Sequence, residues 1–388
     1  MAPKVIIPSG AVDCEHADLR PRGRGLTVGV EEEFLLVDRC TGMPVARGPL
    51  VVEAAHAVLG ERAQTEFFDA QVEVCTRPAV ELVDVKSELA LMRQVMAEAA
   101  AGEGCLLIAT GTPVIPPGRP QTRTPGERYG RIAARWPSLV GSYEGMVCGC
   151  HIHVGVTGRD QALALANHMR PWLPTLQALA ANSPFSLGHD TGWASRRSVE
   201  HARWPGVGPA PVLDGVGYER LAEHLVRTGA LLDRRMIYWH ARPSEHVPTL
   251  EIRVCDVNAD LDVVMLLTAL VRGLAGALLP DIAEGQPPRA LSDPHLRAAH
   301  RVAARQGLAG EGLDFVRGGC VPAWTLVELL LARAAPGLAA AGDLELTEEL
   351  LARVRSSGGG ATRQRAAYER QGRVSDVVSD LARRTLSP

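Results

Sequence analysis

Three consecutive glutamates, Glu31, Glu32 and Glu33, interrupt an otherwise apolar stretch of residues typical of a β-strand. Acidic residues are depleted in strands, so their placement here needs a reason. In a strand from Val28 to Val37, Glu31 and Glu33 would share one face about 7 Å apart, and Glu32 would face the other way. A cation held between the two carboxylates would relieve their repulsion. A solvated edge strand explains the same pattern, so both interpretations stay open at this point.

The same alternation of apolar and polar residues recurs in three later segments of the chain. Their polar faces carry Gln71 with Glu73, His151 with His153, and Glu251 with Arg253. An antiparallel sheet often exposes one polar face to water, so alternation alone does not identify a site. Carboxylates and imidazoles serve solubility less well than threonine, serine or lysine would. We therefore expect these strands to form an acidic wall, defined by Glu31, Glu33, Gln71, Glu73, His151, His153, Glu251 and Arg253.

Such a wall suits hard divalent cations, which prefer oxygen ligands and accept an occasional imidazole nitrogen. Mg²⁺ or Mn²⁺ fits this donor set better than Zn²⁺. These ions usually bridge carboxylates to the phosphates of a substrate. Arg253, two residues after Glu251, would then stabilise the charge on a transferred phosphoryl group. The wall therefore predicts ATP-dependent chemistry.

Other segments must position this wall, and most of them have helical periodicity. The loop after Thr110 contains five prolines and several arginines, including Arg128, so it is either an anion-facing lid or a solvated loop. The predicted elements are a helix at 51–60, a strand at 66–76, a helix at 81–101, a strand at 105–110, a bent helix at 160–181, a helix at 218–232, a strand at 234–239, a helix after Asp256 or Asp260 through Leu279, and helices over 291–388.

Composition sets looser limits on the fold and its partners. The chain has 388 residues, of which 46% are hydrophobic, enough for one large core or two ordinary ones. A net charge of −3 gives no electrostatic reason to expect nucleic acid or an acidic membrane as a partner. Residues 1–25 have no apolar core of a signal peptide and are predicted to be a flexible leader. The apolar run 261–279 is broken by Asp262 and Arg272, so we expect a buried helix and a soluble, cytoplasmic protein.

Cysteine usage also favours a cytoplasmic protein. The eight cysteines are scattered at low density, which favours reduced thiols over a disulfide framework. Cys148 and Cys150 precede His151 and His153, but no second ligand pair follows at a spacing familiar from zinc sites.

Seven motifs in order resemble the carboxylate-amine ligases of the glutamate-cysteine ligase type 2 family, within the glutamine-synthetase-like superfamily. They are GVEEEFLLVD, QVEVCT, TPGERY, GCHIHVGV, NSPFSLGHDTGWASRR, RPSEHVPTLEIRVCDVNAD and GGGATRQR, and they span Leu26 to the C-terminus. The resemblance implies an α+β fold, in which a curved, largely antiparallel sheet is cupped by helices. It also implies a single catalytic domain over residues 26–388 and, from relatives, a homodimer.

By that resemblance, an amino-acid carboxylate, typically that of the glutamate side chain, is phosphorylated by Mg-ATP to an acyl phosphate. An amine such as cysteine then attacks it to form an amide. Arg253 corresponds to the residue that contacts the transferred phosphoryl group. The metal ligands implied are Glu31, Glu33, Glu73, His151 and Glu251.

Weaker correspondences concern the two substrates and the nucleotide. GGGATRQR resembles a segment near the nucleotide in which Arg363 or Arg365 would meet phosphate, and a flexible linker is the alternative. His153, Arg128 and Arg197 correspond to positions facing the amino-acid substrate, where the arginines would bind a carboxylate. Each could equally be a surface residue.

The sequence departs from the family pattern at positions outside the acidic wall. Gly111-Thr112-Pro113-Val114 replaces Gly-Thr-His-Pro, and Trp239-His240 stands where Trp-Asp is common. His300-Arg301-Val302 replaces Asn-Arg-Trp, and Gln306 replaces an aromatic residue. These departures affect which acid is activated and which amine is joined to it.

Two other function classes stay open. One is a metallohydrolase that uses His151, His153 and the carboxylates, although no His-Glu-x-x-His pattern occurs and oxygen ligands are in excess. The other is a non-catalytic family member that binds nucleotide or a partner. A requirement for ATP in turnover separates the ligase from both.

Overall fold

The computed structural model describes residues 25–118, 120–140 and 145–387, so the predicted leader lies outside the described residues except for Gly25. Seven strands form one sheet in the order β2-β3-β1-β5-β9-β8, with β4 also paired to β1. Every pairing in it is antiparallel. These strands are β1 (Val28–Asp38), β2 (Ala63–Thr65), β3 (Gln71–Cys75), β4 (Cys105–Ile108), β5 (Gly149–Gly155), β8 (Ala241–Pro243) and β9 (Thr249–Asp256). The predicted antiparallel sheet with helices is confirmed.

Two short hairpins and fourteen helices complete the part of the chain that the structure describes. The hairpins are β6 (Phe185–Ser186) with β7 (His189–Asp190), and β10 (Glu311–Leu313) with β11 (Cys320–Pro322). The helices are α1 (Gly48–Leu59), α2 (Leu82–Gly102), α3 (Glu127–Arg135), α4 (Pro137–Val140), α5 (Arg159–Met169), α6 (Leu173–Ala180), α7 (Arg196–His201), α8 (Gly215–Arg227), α9 (Leu261–Ala283), α10 (Asp293–Gln306), α11 (Ala323–Ala341), α12 (Leu344–Ser357), α13 (Gly360–Glu369) and α14 (Val374–Thr385).

β1 is the longest strand and organises the sheet. β3 pairs with one edge of β1. On the other edge, β5 pairs with the first half of β1 and β4 pairs with the second half. Its apolar positions, beginning with Val28 and Val30, face a core that also contains residues of α2, α5, α6 and α9. Helices therefore cover the apolar face of the sheet, and the acidic wall lies on the opposite face.

Glu32 faces the helices, as the alternation predicts, and it is completely buried. Arg93 of α2 meets it, with 2.9 Å between Arg93 Nε and Glu32 Oε2. The same guanidinium donates to the carbonyl oxygens of Asn258 and Ala259, at 2.7 and 3.1 Å. This ion pair therefore joins β1, α2 and the turn before α9, and its hydrogen bonds offset the cost of burying two charges.

α9 is the central helix of the core. Asp260 caps its N-terminus by accepting a hydrogen bond from the Asp262 backbone nitrogen at 3.0 Å. α9 and α11 are both long and apolar enough to cross a membrane, but 83% of the apolar window of α9 is buried within the protein. The prediction of a buried core helix is therefore confirmed for α9.

Several predicted boundaries are wrong. The segment predicted as a strand at 234–239 contains a 3₁₀ turn at Arg234–Met236, and the strand follows at β8 instead. The predicted bent helix at 160–181 is two helices, α5 and α6, separated at residues 170–172 just before Pro174. The predicted strand at 66–76 begins only at Gln71, and the segment after Gly126 is helix α3.

Candidate active site

The strand registers place the residues of the acidic wall directly opposite one another. Glu33 pairs with Glu73 across β1 and β3, and Glu31 pairs with His151 across β1 and β5. His153 pairs with Glu251 across β5 and β9. Directly opposed residues have Cβ atoms about 4.5 to 5.5 Å apart, close enough for their side chains to share a ligand. The prediction that these strands present one polar face is confirmed.

Three groups of side chains on this face could each hold a metal ion. Within each group, one ligand atom from every residue lies within 4.8 Å of the others. The groups are Glu31, His153 and Glu251; Glu31, Glu73 and His151; and Glu33, Glu66 and Glu73. All five predicted metal ligands are members of these groups. Glu66 and His153 are additional members.

The two histidines differ in the partners of their ring nitrogens. His151 donates its Nδ1 hydrogen to Glu31 Oε2 at 3.0 Å, and Nδ1 of His153 is 2.8 Å from Thr249 Oγ1. Nε2 of His151 is buried without a hydrogen-bond partner among the described residues, and Nε2 of His153 is 3.2 Å from Glu31 Oε1. A buried polar atom without a partner carries a free-energy cost that a bound cation would remove. The hydrogen bonds at Nδ1 also orient each ring, as is usual for metal-binding histidines.

The carboxylates do not all favour the ionised form. Burial and the charge of Glu33 raise the pKa of Glu66 to about 7. Burial and the charge of Glu31 raise the pKa of Glu73 well above its usual value. By contrast, the charge of His153 holds the pKa of Glu31 well below its usual value, although burial opposes this. Divalent cations would relieve the repulsion at Glu66 and Glu73, so the donor set fits Mg²⁺ or Mn²⁺.

Glu251 lies between two arginines. Arg242 of β8 donates from Nε to Glu251 Oε2 at 2.6 Å, and Arg253 contacts the other carboxylate oxygen. Arg253 also packs over the ring of Tyr238, 5.6 Å from its centroid. Its Nε is buried without an acceptor among the described residues. Arg253 is thus held beside the metal groups with a donor still available to a ligand.

An aromatic cavity of about 210 Å³ opens beside Glu33, Glu66 and Arg253. Its aromatic lining consists of Phe67, Phe68, Tyr129, Trp204 and Tyr238. Two predicted substrate-binding residues, Arg128 and Arg197, also line it. A polar wall with an adjoining concave, partly aromatic pocket is the usual form of a small-molecule site.

These two arginines have different surroundings. Arg128 forms a two-fold contact with Asp233, at 2.7 and 3.1 Å. Arg197 is buried, its Nη1 is 3.9 Å from Asp256 Oδ1, and its Nε has no acceptor among the described residues. Arg197 therefore has the greater capacity to bind a substrate carboxylate.

Arg363 and Arg365 lie on α13, and neither lines the aromatic cavity. Arg363 Nη1 is 3.1 Å from Asp260 Oδ2, and Arg365 donates to Asp190 at 2.8 and 3.1 Å. The alternative of a flexible linker does not hold for this segment, because helix α13 begins at Gly360. A role for either arginine at the nucleotide stays a prediction.

A family model described as glutamate-cysteine ligase family 2 matches residues 27–380. The chain belongs to this family. A relative from Saccharopolyspora erythraea that carries the name of a glutamate-cysteine ligase 2-2 is 43% identical over 375 residues, covering 95% of each chain. A relative of the same name from Mycolicibacterium vanbaalenii is 42% identical over 367 residues, covering 93% of this chain and 98% of that one. The predicted family and the ligase class of enzyme are confirmed.

Solved structures show the same fold at low sequence identity. A bifunctional glutathione synthetase from Pasteurella multocida superposes with a TM-score of 0.68 at 17% identity, over 94% of this chain and 52% of that one. A glutamate-cysteine ligase from Francisella tularensis, solved in complex with AMP, has a TM-score of 0.66 at 12% identity, over 94% of this chain and 89% of that one. At these identities, the likeness concerns the fold alone.

Two residues of this ligase-family site escaped the sequence prediction. Glu66 begins the segment predicted as a strand at 66–76, and counting alternate residues places it on the other face of that strand from Gln71 and Glu73. Arg242 lies opposite Glu251 in the β8–β9 pairing, but the strand was predicted earlier in the chain. The available signal for Arg242 is the pair Pro243 and Pro248, since proline marks a break in regular structure between Arg242 and Glu251.

The thiols near the histidines have a structural role. Cys148 and Cys150 are completely buried, and burial raises the pKa of both. Gln71 Nε2 donates to Cys148 Sγ at 3.2 Å, and Cys150 belongs to the core beneath the sheet. Neither belongs to a group of three metal-binding side chains among the described residues. None of the seven cysteines that the structure describes forms a disulfide with another of them.

Proposed function

We propose that this protein uses ATP to activate an amino-acid carboxylate, that of the glutamate side chain, and joins it to an amine such as cysteine. The observation that carries the proposal is the set of three ligand groups beside Arg253, in which Nε2 of His151 is buried without a hydrogen-bond partner among the described residues. Family membership supports the same chemistry. The AMP complex of the Francisella ligase supports a nucleotide as the second ligand of such a fold.

In the first step, the γ-phosphoryl group of ATP is transferred to a carboxylate oxygen, which yields an acyl phosphate and ADP. In the second step, the amine nitrogen attacks the carbonyl carbon, phosphate leaves, and the nitrogen loses one proton. Bound Mg²⁺ or Mn²⁺ would neutralise phosphate charge during transfer.

The chain's own residues would divide this work. Glu31, Glu33, Glu66, Glu73, His151, His153 and Glu251 would hold the metal ions. Arg253 would stabilise negative charge on the transferred phosphoryl group, because its Nε has no acceptor among the described residues. Arg197 and Arg128 would orient the amino-acid substrate in the aromatic cavity. Arg363 or Arg365 would contact the nucleotide only after leaving its present ion pair.

The deciding experiment measures ADP release from Mg-ATP across a panel of amino acids, with hydroxylamine present to trap an acyl phosphate. Hydroxamate that depends on one particular acid would support the ligase and name its first substrate. Hydrolysis without ATP would favour the metallohydrolase. Bound metal and nucleotide without ADP release would favour a non-catalytic member.

The proposal also has three parts that concern the whole protein. They are a homodimer, a cytoplasmic location and a single domain over residues 26–388.

A further inference from the structure

A carboxylate outside the metal groups, that of Asp256 at the end of β9, is almost completely buried. It accepts hydrogen bonds from the backbone nitrogen of Asn182 and from the hydroxyls of Ser183 and Ser195, at 2.9, 2.7 and 2.8 Å. Arg197 Nη1 lies 3.9 Å from the same carboxylate. A buried carboxylate with this many donors is held in one orientation, so it can fix the groups around it.

The two serines connect Asp256 to the backbone that carries Arg197. Ser183 Oγ donates to Asp256 and accepts from the Arg197 backbone nitrogen at 3.0 Å. Ser195 is the N-cap of α7, where its hydroxyl oxygen accepts from the Ser198 backbone nitrogen at 3.2 Å. Arg197 is the second residue of that helix. Asp256 therefore fixes the backbone of Arg197 in addition to contacting its guanidinium group.

The guanidinium group of Arg197 is held against β9 by two of its nitrogens. Nη1 faces Asp256, and Nη2 donates to the backbone oxygen of Arg253 at 3.4 Å. Burial raises the pKa of Asp256, whereas the charge of Arg197 and the three hydrogen bonds oppose this. Nε of Arg197 is buried without an acceptor among the described residues. The contacts with β9 thus leave one nitrogen of the group for a ligand.

Two glycines leave room for this arrangement. Gly149 lies opposite Asp256 in the β5–β9 ladder and directly against the guanidinium group. A Cβ atom at Gly149 would lie 3.0 Å from Arg197 Cζ and closer still to Nη2. A Cβ atom at Gly111 would lie 2.9 Å from Arg197 Cβ and 3.0 Å from Asp256 Cγ. A larger residue at either position would displace this pair, as expected where the backbone closely approaches a functional group.

The buried ion pair of Glu32 and Arg93 shows how the pair at Arg197 differs from one that serves stability alone. All three guanidinium nitrogens of Arg93 donate to Glu32 or to backbone oxygens. Arg197 instead has Asp256 at 3.9 Å, one hydrogen bond of 3.4 Å to Arg253, and an unused Nε. Unused donors on a buried guanidinium group carry a free-energy cost, which a bound carboxylate would remove.

We propose that Asp256 is a positioning residue, which holds Arg197 in the orientation that binds the α-carboxylate of the acid substrate. The inference rests on the proposed function, in which Arg197 orients that substrate in the aromatic cavity. Asp256 itself is not part of the cavity lining, so it acts through Arg197. A guanidinium group that is already fixed loses little conformational freedom when a carboxylate binds. Loss of Asp256 should therefore weaken the binding of acids that carry an α-carboxylate.

The test is titration calorimetry of the full chain with Mg²⁺, using L-glutamate and 4-aminobutyrate, which lacks the α-carboxylate. The wild type should bind L-glutamate about tenfold or more tightly, because a charge-assisted bidentate contact contributes at least that much. Asp256→Asn should reduce this preference to about threefold or less, and Arg197→Ala should do the same. General damage to the site would weaken both ligands equally. An unchanged preference in Asp256→Asn would overturn the proposal, as would a wild type without any preference or without binding of L-glutamate.

Further variants keep the test decisive if Asp256→Asn does not fold. Ser183→Ala removes one link between Asp256 and Arg197, so it should lower the preference about threefold. An unchanged preference in this variant would then overturn the proposal. Asp343→Asn neutralises another buried carboxylate, which is paired with Arg272, and it should keep the wild-type preference. A loss of preference in this control would show that the preference reports stability alone.

A double variant tests whether the two residues act together. Arg197→Ala with Asp256→Asn should show the same preference as Arg197→Ala alone, because Asp256 acts only through Arg197. A further loss in the double variant would contradict the positioning role. These measurements need no turnover, so a lack of ADP release with every acid refutes the proposed function separately. A preference that is lost in Arg197→Ala and kept in Asp256→Asn refutes the positioning role alone.

Discussion

Arg242 and Glu251 face each other across the β8–β9 ladder, with 2.6 Å between Arg242 Nε and Glu251 Oε2. Arg253 contacts the second oxygen of the same carboxylate. Together the two guanidinium groups hold the pKa of Glu251 below its usual value, although burial opposes this. Glu251 therefore stays ionised and keeps Arg253 beside the metal groups. A neutral residue at position 251 would remove both the ionised carboxylate and the contact that keeps Arg253 beside the metal groups.

The first prediction concerns Arg253 and the rate of ligation. Arg253→Ala should lower the rate of ADP release about a hundredfold or more, because it removes charge stabilisation worth a few kcal/mol in the transition state. The measurement is kcat for ADP release with the acid that gives the strongest hydroxamate signal. Full activity in this variant would refute the role assigned to Arg253.

A matched substitution controls for the loss of an arginine. Arg317→Ala removes an exposed guanidinium between β10 and β11, outside the lining of the aromatic cavity. Its kcat should equal that of the wild type. Thermal unfolding midpoints of the two variants establish whether Arg253→Ala acts on catalysis and not on folding.

The second prediction concerns Glu66 as a metal ligand. Glu66→Gln should raise the Mg²⁺ concentration needed for half-maximal activity about tenfold or more, since one of three carboxylates in its group is lost. The control is Glu61→Gln, which changes an exposed glutamate five residues earlier. A Mg²⁺ titration of Glu66→Gln that overlays the wild-type curve would remove Glu66 from the ligand set.

The difference between Glu33 and Glu66 shows what sequence periodicity predicts and what it does not. Glu33 lies within a regular strand, where the two-residue period alone determines its face. Glu66 reaches the same group from a segment between β2 and β3 that has no such period. Its position depends on where the chain folds back, which involves contacts between residues far apart in sequence. Local pattern therefore identifies strand ligands and misses loop ligands.

The contact between His240 and His300 shows a second limit of the same kind. His240 and His300 are 60 residues apart and lie on different elements, yet their ring nitrogens are 3.2 Å apart. In the sequence, each of these positions is a separate departure from the family pattern. Their contact follows from packing α10 against the segment before β8, which no local pattern encodes.

The third prediction concerns the buried ion pair of Glu32 and Arg93. Arg93→Met should lower the free energy of unfolding by about 3 to 5 kcal/mol, because it leaves a buried carboxylate without its partner. Urea unfolding measures this change. The double variant Glu32→Gln with Arg93→Met should be more stable than Arg93→Met alone, since it removes the uncompensated charge. Equal stability of these two variants would show that Arg93 contributes by packing alone.

The fourth prediction concerns acid sensitivity and arises from His240. Its pKa is lowered from 6.5 to about 3 in the folded protein, so below pH 6.5 the unfolded chain binds a proton that the folded chain does not. Stability should therefore be complete above pH 6.5 and fall progressively between pH 6.5 and 3. By pH 5 this single group should cost roughly 1 to 2 kcal/mol. Urea unfolding at pH 7.5 and 5.0 measures the loss, and His240→Asn should show a smaller loss than the wild type. An equal loss in both proteins would mean that other groups, such as His201 and His300, account for the acid sensitivity.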